Sequence, residues 1–181
     1  MAIIRVSGYP GAGKTTICKL LTEALGYEYF YTGAAFRDMA KTRNQSIEDF
    51  YRDLSSDPEL ERKIDDVNEK RMMTRDNLIV EGRVAPFQKS GFKTINILLK
   101  VSPKEGVRRQ SLRPENKGRA IEEIEKLTVE RIKNEREHYK RIHGIADHFD
   151  ESKFDIVLDT TNLSVDEAFD MILKQVTQLT V

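Results

Sequence analysis

Eight residues near the start of the chain have the types and spacing that bind the phosphates of a nucleotide. They are Gly8-Tyr9-Pro10-Gly11-Ala12-Gly13-Lys14-Thr15, a glycine and four further residues followed by Gly-Lys-Thr. Glycines let successive backbone N–H groups curl around an anion, and a helix that begins near Lys14 directs its positive end at the same charge. We therefore predict that a phosphate chain is bound by Gly8, Pro10, Gly11, Ala12, Gly13, Lys14, Thr15 and Thr16.

The side chains of this loop have separate expected roles. Lys14 can reach the β- and γ-phosphates of ATP as a catalytic residue, the Thr15 hydroxyl can bind Mg²⁺, and Thr16 can hydrogen-bond the α-phosphate. The alternative is an ordinary glycine-rich turn. The loop alone does not separate kinases from GTPases, motors or switches. The Asn116-Lys117 pair lacks the aspartate that a guanine-reading motif of a GTPase requires.

Further segments indicate a second site, for a substrate that carries a phosphate. The first is Thr32-Gly33-Ala34-Ala35-Phe36-Arg37, where a glycine at a helix start precedes an arginine by one turn and could hold an anion. The second is Glu81-Gly82-Arg83, which follows an apolar strand at the edge where open α/β sheets bind ligands. Glu81 is in the position of an acidic residue that orients Mg²⁺, or it caps the strand. Arg37 could instead be an exposed surface residue.

A third group of arginines flanks a flexible basic loop in the second half of the chain. Arginines in a closing lid can neutralise the charge that spreads over a transferring phosphoryl group. Adjacent arginines on a helix cannot face the same direction, so at most one of Arg108 and Arg109 should point inward. The alternative for the densely charged run is a solvated helical face. The arginines of this group are Arg108, Arg109, Arg113, Arg119, Arg131, Arg136 and Arg141.

The elements that must hold these residues alternate along the chain, which predicts an α/β protein with a five-stranded parallel sheet and helices on both faces. Apolar runs predict strands at Ile3–Ser7, Tyr27–Tyr31, Leu78–Val80, Ile95–Val101 and Phe154–Leu158. Helical spacing and caps predict helices at Thr15–Leu25 and Gly33–Arg43, one that starts at Ser46, one from the capping Asp57 to Arg75, one at Ile121–His143, and a last one with Ser164 and Glu167 as its capping box.

The chain length of 181 residues predicts a single domain. The segment between the second and third strands is too long for a simple crossover and predicts an inserted helical lobe. We divide the domain into a core (1–33, 76–103 and 143–181), an acceptor-binding lobe (about 34–75) and a lid region (about 104–140).

Composition excludes some classes of protein. Lys plus Arg and Asp plus Glu are each 30, so the basic excess of a nucleic-acid binder is missing. Cys18 is the single cysteine, so no disulfide can form within the chain. No segment approaches the ~18 consecutive apolar residues of a membrane helix, and the first residues do not form a signal peptide. We expect a cytoplasmic protein that binds neither membrane nor nucleic acid, and a monomer rather than an oligomer.

The sequence resembles the archaeal-type cytidylate kinases, within the P-loop nucleoside monophosphate kinases, over nearly its whole length. The resemblance rests on the glycine-rich loop through Thr16, on Thr32-Gly33 with Phe36-Arg37, on Asp76-Asn77-Leu78-Ile79-Val80-Glu81-Gly82-Arg83, on His143-Gly144-Ile145, and on Phe154-Asp155-Ile156-Val157-Leu158-Asp159-Thr160-Thr161. The Glu-Gly-Arg and final strand motifs are more specific than the phosphate loop.

The resemblance implies MgATP as phosphoryl donor, CMP or dCMP as acceptor, and a short lid. It also implies that Thr15 and Glu81 hold Mg²⁺, that Arg131 belongs to the lid, and that the acceptor is held by Thr32, Gly33, Phe36, Arg37, Glu81, Gly82 and Arg83. His138 stands where a second lid arginine is expected, so Arg136 or Arg141 would substitute for it, and we predict Arg131 and Arg136 as the catalytic arginines of the lid. The run Val84-Ala85-Pro86-Phe87 also departs from the usual one.

The expected reaction is in-line transfer of the γ-phosphoryl group to the acceptor phosphate, with catalysis by positioning and electrostatics. Two alternatives stay open. The acceptor could be AMP, UMP or a small hydroxyl metabolite, for which Glu81 or Asp38 could serve as the general base. The chain could also be an ATP-dependent switch that transfers no phosphate to an acceptor.

Overall fold

Strands and helices alternate along the computed structural model, which describes residues 2–45, 50 and 58–180, with side chains other than those of 35–38, 58, 60–65 and 67. Three short 3₁₀ helices, at Ala85–Phe87, Pro114–Asn116 and Glu151–Lys153, lie in the connections. The main elements of the described residues are β1 (Ile3–Gly8), α1 (Lys14–Leu25), β2 (Glu28–Tyr31), α2 (Ala34–Thr42), α3 (Pro58–Thr74), β3 (Leu78–Glu81), β4 (Thr94–Lys100), α4 (Pro103–Ser111), α5 (Ile121–His143), β5 (Ile156–Asp159) and α6 (Val165–Thr180).

The strands form one parallel sheet in the order β2-β3-β1-β4-β5. The prediction of a five-stranded parallel sheet is confirmed in these described ranges. Strand β1 lies at the centre, and all six of its residues are buried. The glycine-rich loop therefore leaves the middle of the sheet at its carboxyl edge, where strands β3 and β4 also end and where parallel sheets bind ligands.

The two faces of β1 contribute to different packing regions, because side chains alternate along a strand. Ile4 and Val6 face the larger apolar cluster, which helices α1 and α6 complete. Ile3 faces a smaller cluster formed with Met72 of α3 and Ala85. On the Ile3 face, Arg5 and Ser7 follow at the next alternate positions, so polar side chains replace apolar ones toward the carboxyl edge of the sheet.

The helical segment between β2 and β3 begins with α2 and ends with α3. The helix start predicted at Ser46 and the cap predicted at Asp57 lie outside the described residues, and α3 itself begins at Pro58. Helix α5 matches its predicted bounds and ends at Gly144, whose left-handed φ of 67° favours glycine. Among the described residues, none of the helices combines the length and apolar character needed to cross a membrane.

Candidate active site

The loop between β1 and α1 follows a path that only glycine permits at two of its positions. Gly8 has φ 155°, and a Cβ there would lie 2.4 Å from the Leu99 carbonyl oxygen. Gly11 has φ 83°, and a Cβ there would lie 2.4 Å from the carbonyl oxygen of Gly106 in helix α4. Backbone atoms of β4 and α4 therefore press against the outside of the loop. The loop is held in the curl that directs its N–H groups at an anion.

Lys14, the first residue of α1, folds back over this loop. Its ammonium group donates hydrogen bonds to the carbonyl oxygens of Gly8 at 2.8 Å and Tyr9 at 3.1 Å. Burial, and then the positive charge of Arg83, lower the pKa of Lys14 to about 7. A phosphate bound in the loop supplies the negative charge that would hold Lys14 protonated.

Glu81, the last residue of β3, is held by hydroxyl groups from two neighbouring elements. Thr15 donates to one carboxylate oxygen at 2.9 Å, and Tyr29 of β2 donates to the other. The next residue, Gly82, packs tightly against Thr32, whose hydroxyl donates to the Glu81 carbonyl oxygen at 3.1 Å. A Cβ at Gly82 would lie 2.3 Å from that hydroxyl oxygen. The structure thus brings together the residues predicted to hold Mg²⁺.

A charged cluster joins the end of β3 to helix α5. Arg83 forms an ion pair with Glu135, and its side chain is only 9% exposed. Arg131, one helical turn before Glu135, donates to the same carboxylate oxygen at 2.9 Å. His148 is fully buried, and its Nε2 lies 4.0 Å from the second carboxylate oxygen. Burial lowers the pKa of His148 to about 4, so the ring is neutral at pH 7.

Some predicted site residues are not placed in this cluster. Arg136 is half-exposed and, among the described residues, donates to Asp147 at 3.2 Å rather than to Glu135. Gly33 precedes the first turn of α2, and a Cβ there would lie 2.6 Å from the Tyr31 ring. Phe36 and Arg37 lie in α2, and their side chains fall outside the described part of the chain. Their roles stay predictions.

Contacts that the sequence did not predict wall the other side of the loop. An open cavity of about 600 Å³ extends from Gly13 and Thr16 to the segment after β5. Arg109 donates to the Thr160 hydroxyl at 3.1 Å and to the Thr160 carbonyl oxygen at 2.7 Å. Its neighbour Arg108 pairs with Glu105 and is 60% exposed, so of the two adjacent arginines it is Arg109 that points inward.

The sequence did not indicate the contacts of three further site residues. Glu135 lies in a helix rich in glutamate, so its charge does not distinguish it there. Tyr29 belongs to an aromatic strand whose spacing indicates only a strand. Thr160 belongs to a motif quoted for the resemblance, but the contact with Arg109 joins residues 51 positions apart.

A second, smaller cavity is lined in part by Val84, the residue after Arg83. Its volume is about 180 Å³. Its walls come from α3, from the segment after Arg83, and from the end of α5 with the residues that follow. The lining residues are Glu69, Val84, Phe87, Gln88, His143 and Ile145.

Comparisons with known proteins agree with this arrangement. Residues 4–136 match the family described as AAA domain. The chain is 32% identical over 179 residues to the cytidylate kinase of Methanopyrus kandleri, a match that covers 94% of this chain and 90% of the relative. It is 34% identical over 168 residues to the cytidylate kinase of Pyrobaculum arsenaticum, covering 93% and 89%.

Solved structures share the fold at much lower sequence identity. An uncharacterized protein from Eubacterium ventriosum superposes with a TM-score of 0.68 at 15% identity, covering 96% of this chain and 97% of that one. The shikimate kinase of Acinetobacter baumannii in complex with shikimate gives a TM-score of 0.59 at 18% identity, covering 99% and 94%. These likenesses concern the fold alone.

Proposed function

The chain belongs to the family of the archaeal cytidylate kinases, and from that membership we propose that it transfers the γ-phosphoryl group of ATP to CMP or dCMP. The products are ADP and the cytidine diphosphate. The single observation that carries the choice of a phosphate-bearing acceptor is the ion-paired cluster of Arg83, Glu135 and Arg131 beside the glycine-rich loop.

The donor side binds the triphosphate through the backbone of the loop and through Lys14. When the phosphates occupy the loop, the ammonium group of Lys14 exchanges its two backbone carbonyl partners for phosphate oxygens. The walls of the larger cavity, with Arg109 and Thr160, leave room for the nucleoside part. The donor is thereby held with its γ-phosphate toward Arg83.

Mg²⁺ fits the donor set formed by Thr15 and Glu81. A hydroxyl oxygen and a carboxylate oxygen lie 2.9 Å apart at the carboxyl edge of the sheet. This ion prefers oxygen ligands and is usually bound by one or two carboxylates together with substrate phosphates. When bound, the ion neutralises charge on the transferring phosphates.

On the acceptor side, the phosphate of the acceptor nucleotide binds to arginines that are paired with a carboxylate in the ligand-free protein. Glu135 holds the guanidinium groups of Arg83 and Arg131 together. A phosphate dianion carries more charge than a carboxylate and accepts more hydrogen bonds, so it competes with Glu135 for the same donors. Arg83 is almost wholly buried, and charge interactions are stronger there than in water.

A phosphate acceptor needs no general base, whereas a hydroxyl acceptor does. Both carboxylate oxygens of Glu81 already accept hydrogen bonds, from Thr15 and from Tyr29. That arrangement suits a fixed anion that orients a metal ion, and it leaves Glu81 poorly placed to remove a proton. The Asp38 side chain lies outside the described residues.

ADP production with each acceptor in turn tests the proposal. CMP, dCMP, UMP, AMP and shikimate are supplied separately with MgATP, and ATP alone measures background hydrolysis. We expect strong stimulation by CMP or dCMP and weaker or no stimulation by the others. Equal ADP production with and without every acceptor would contradict the proposal and favour an ATP-dependent switch.

A further inference from the structure

Arg5 is a buried cation on the central strand that the proposed phosphoryl transfer does not use. It lies on the face of β1 that carries Ile3 and Ser7, below the segment that follows Arg83. The residue is 3% exposed, and burial lowers its pKa to about 10, so it stays protonated at pH 7. Burying a charge is costly unless the charge is paired, which calls for an explanation of its place here.

The hydrogen bonds of Arg5 are incomplete. One terminal nitrogen, Nη1, donates to the Pro86 carbonyl oxygen at 3.4 Å. The other two nitrogens, Nε and Nη2, are shielded from solvent and have no hydrogen-bond partner among the described residues. These two nitrogens form one edge of the guanidinium, the edge that binds two neighbouring acceptors side by side.

This guanidinium lies next to the smaller cavity. Pro86, its hydrogen-bond partner, stands between Val84 and Phe87, which line that cavity. Glu69 of α3 also lines the cavity, and its negative charge acts on the Arg5 guanidinium. An unpartnered donor pair therefore lies close to a small cavity that a carboxylate lines.

We propose that Arg5 and Glu69 select the base of the acceptor nucleotide in this cavity. The inference rests on the proposed function and specifies how the same site chooses its substrate. Cytosine presents two adjacent acceptors, N3 and O2, which match the Nε and Nη2 donors of Arg5. Its N4 amino group is a donor, which matches the Glu69 carboxylate.

The same donors and acceptor disfavour the other bases. Uracil has a carbonyl oxygen in place of the amino group, so it places an acceptor against the carboxylate of Glu69. Adenine has a C–H beside its N1 and leaves one donor of Arg5 unpaired, which is costly in a buried site. The cavity of about 180 Å³ is also less than a third as large as the 600 Å³ cavity on the donor side, which favours a base with one ring.

The Arg5 edge is shielded from solvent, so the side chains between it and the cavity must move as the base enters. Such movement accompanies the closure of substrate lobes in kinases. The structural alternative is that Arg5 only supports the backbone at Pro86. These two roles differ in what they change. Support for the backbone affects all acceptors alike, whereas base selection changes the ratio between them.

Binding of CMP and UMP, measured by calorimetry without ATP, tests the inference on wild type, Arg5→Met and Glu69→Gln. We expect Arg5→Met to weaken CMP binding at least about tenfold and to lower the CMP-to-UMP preference. Glu69→Gln gains an amide donor for the uracil oxygen, so it should shift the preference toward UMP at least about fivefold. Arg75→Met, which removes an exposed arginine at the end of α3, is the matched control and should leave both affinities within about twofold.

The outcomes separate this inference from the proposed function. An unchanged CMP-to-UMP preference in both Arg5→Met and Glu69→Gln would overturn the inference and leave the phosphotransferase proposal intact. Because the readout is binding, a wild type that binds CMP and transfers no phosphate to it overturns the proposed function alone. If Arg5→Met does not fold, as judged by its melting temperature, the CMP-to-UMP preference of Glu69→Gln, a change at a partly exposed residue, tests the inference alone.

Discussion

The donor and acceptor sides of the site are built in different ways. The donor side is a single stretch of backbone whose shape is fixed by contacts at Gly8 and Gly11 with β4 and α4. The proposed acceptor side is an assembly of side chains from β1, α3, α5 and the segment after β3, in which the Arg83–Glu135 ion pair joins that segment to α5. We therefore expect donor binding to depend mainly on backbone geometry, and acceptor binding to depend on individual side chains.

Lys14→Ala gives the largest expected effect and tests the donor half of this comparison. Loss of the ammonium group should lower kcat by about 10²–10³-fold, because a positioned donor that stabilises developing charge is worth that much. The dissociation constant of ATP should rise much less, since the backbone N–H groups remain. Rates from ADP production and ATP affinity from calorimetry measure the two quantities.

The melting temperature of Lys14→Ala serves as the control for folding. The desolvation cost of the ammonium group opposes its two hydrogen bonds to Gly8 and Tyr9, so its removal should change stability little. Complete loss of ATP binding in a folded Lys14→Ala protein would show that the side chain, and not the backbone, carries donor affinity.

The donor side could be predicted from the sequence because its parts are contiguous. The loop needs glycines at fixed spacing, so the sequence of residues 8–15 predicts both the backbone path and the position of Lys14. The same holds for Glu81-Gly82-Arg83, which follows directly from the end of β3. The contact of Arg109 with Thr160 could not be predicted in this way, because the position of Thr160 depends on where β5 lies in the sheet.

Arg83→Met tests the acceptor half and has the next largest expected effect. It should lower kcat/KM for CMP by about 10–100-fold, the range expected for a buried hydrogen bond to a charged group. ATP affinity should change by a smaller factor, because the loop backbone and Lys14, which bind the donor phosphates, remain. Initial rates at varied CMP concentration, with ATP saturating, give the measurement.

Arg136→Met is the matched control for Arg83→Met. Arg136 is half-exposed and pairs with Asp147, so its loss should change kcat/KM for CMP by about twofold or less. A loss as large as that of Arg83→Met would instead support the catalytic role that the sequence predicted for Arg136, and α5 would then have to rotate when substrate binds.

The acceptor side could be predicted only in part, for a physical reason. Its members come from elements that are far apart in the chain, and each residue type is common where it occurs. Glu135 is one of many charged residues in α5, and Arg5 occupies a strand whose other residues are apolar or small. Their importance arises from burial and from their neighbours, which a single sequence does not report.

The pH dependence of binding gives the smallest expected effect and sharpens the comparison further. Lys14 is the donor-side cation, and its pKa is lowered to about 7 by burial, so the free protein loses this proton as pH rises above 7. Bound phosphates raise that pKa, because a nearby negative charge favours the protonated form. ATP binding therefore takes up a proton, and affinity falls as pH rises. The dissociation constant should be up to about 16-fold higher at pH 8.5 than at pH 7.

The acceptor side should behave differently over the same range. Arg83 and Arg131 keep their guanidinium charges, and His148, with its pKa lowered to about 4 by burial, stays neutral. CMP affinity should therefore change little between pH 7 and 8.5. Calorimetry at pH 8 in two buffers of different ionisation heat measures the proton uptake directly, with Lys14→Met as the control that should take up none. Equal proton uptake by wild type and Lys14→Met would assign the titration to another group. A titrating lysine would then no longer distinguish the donor side from the acceptor side.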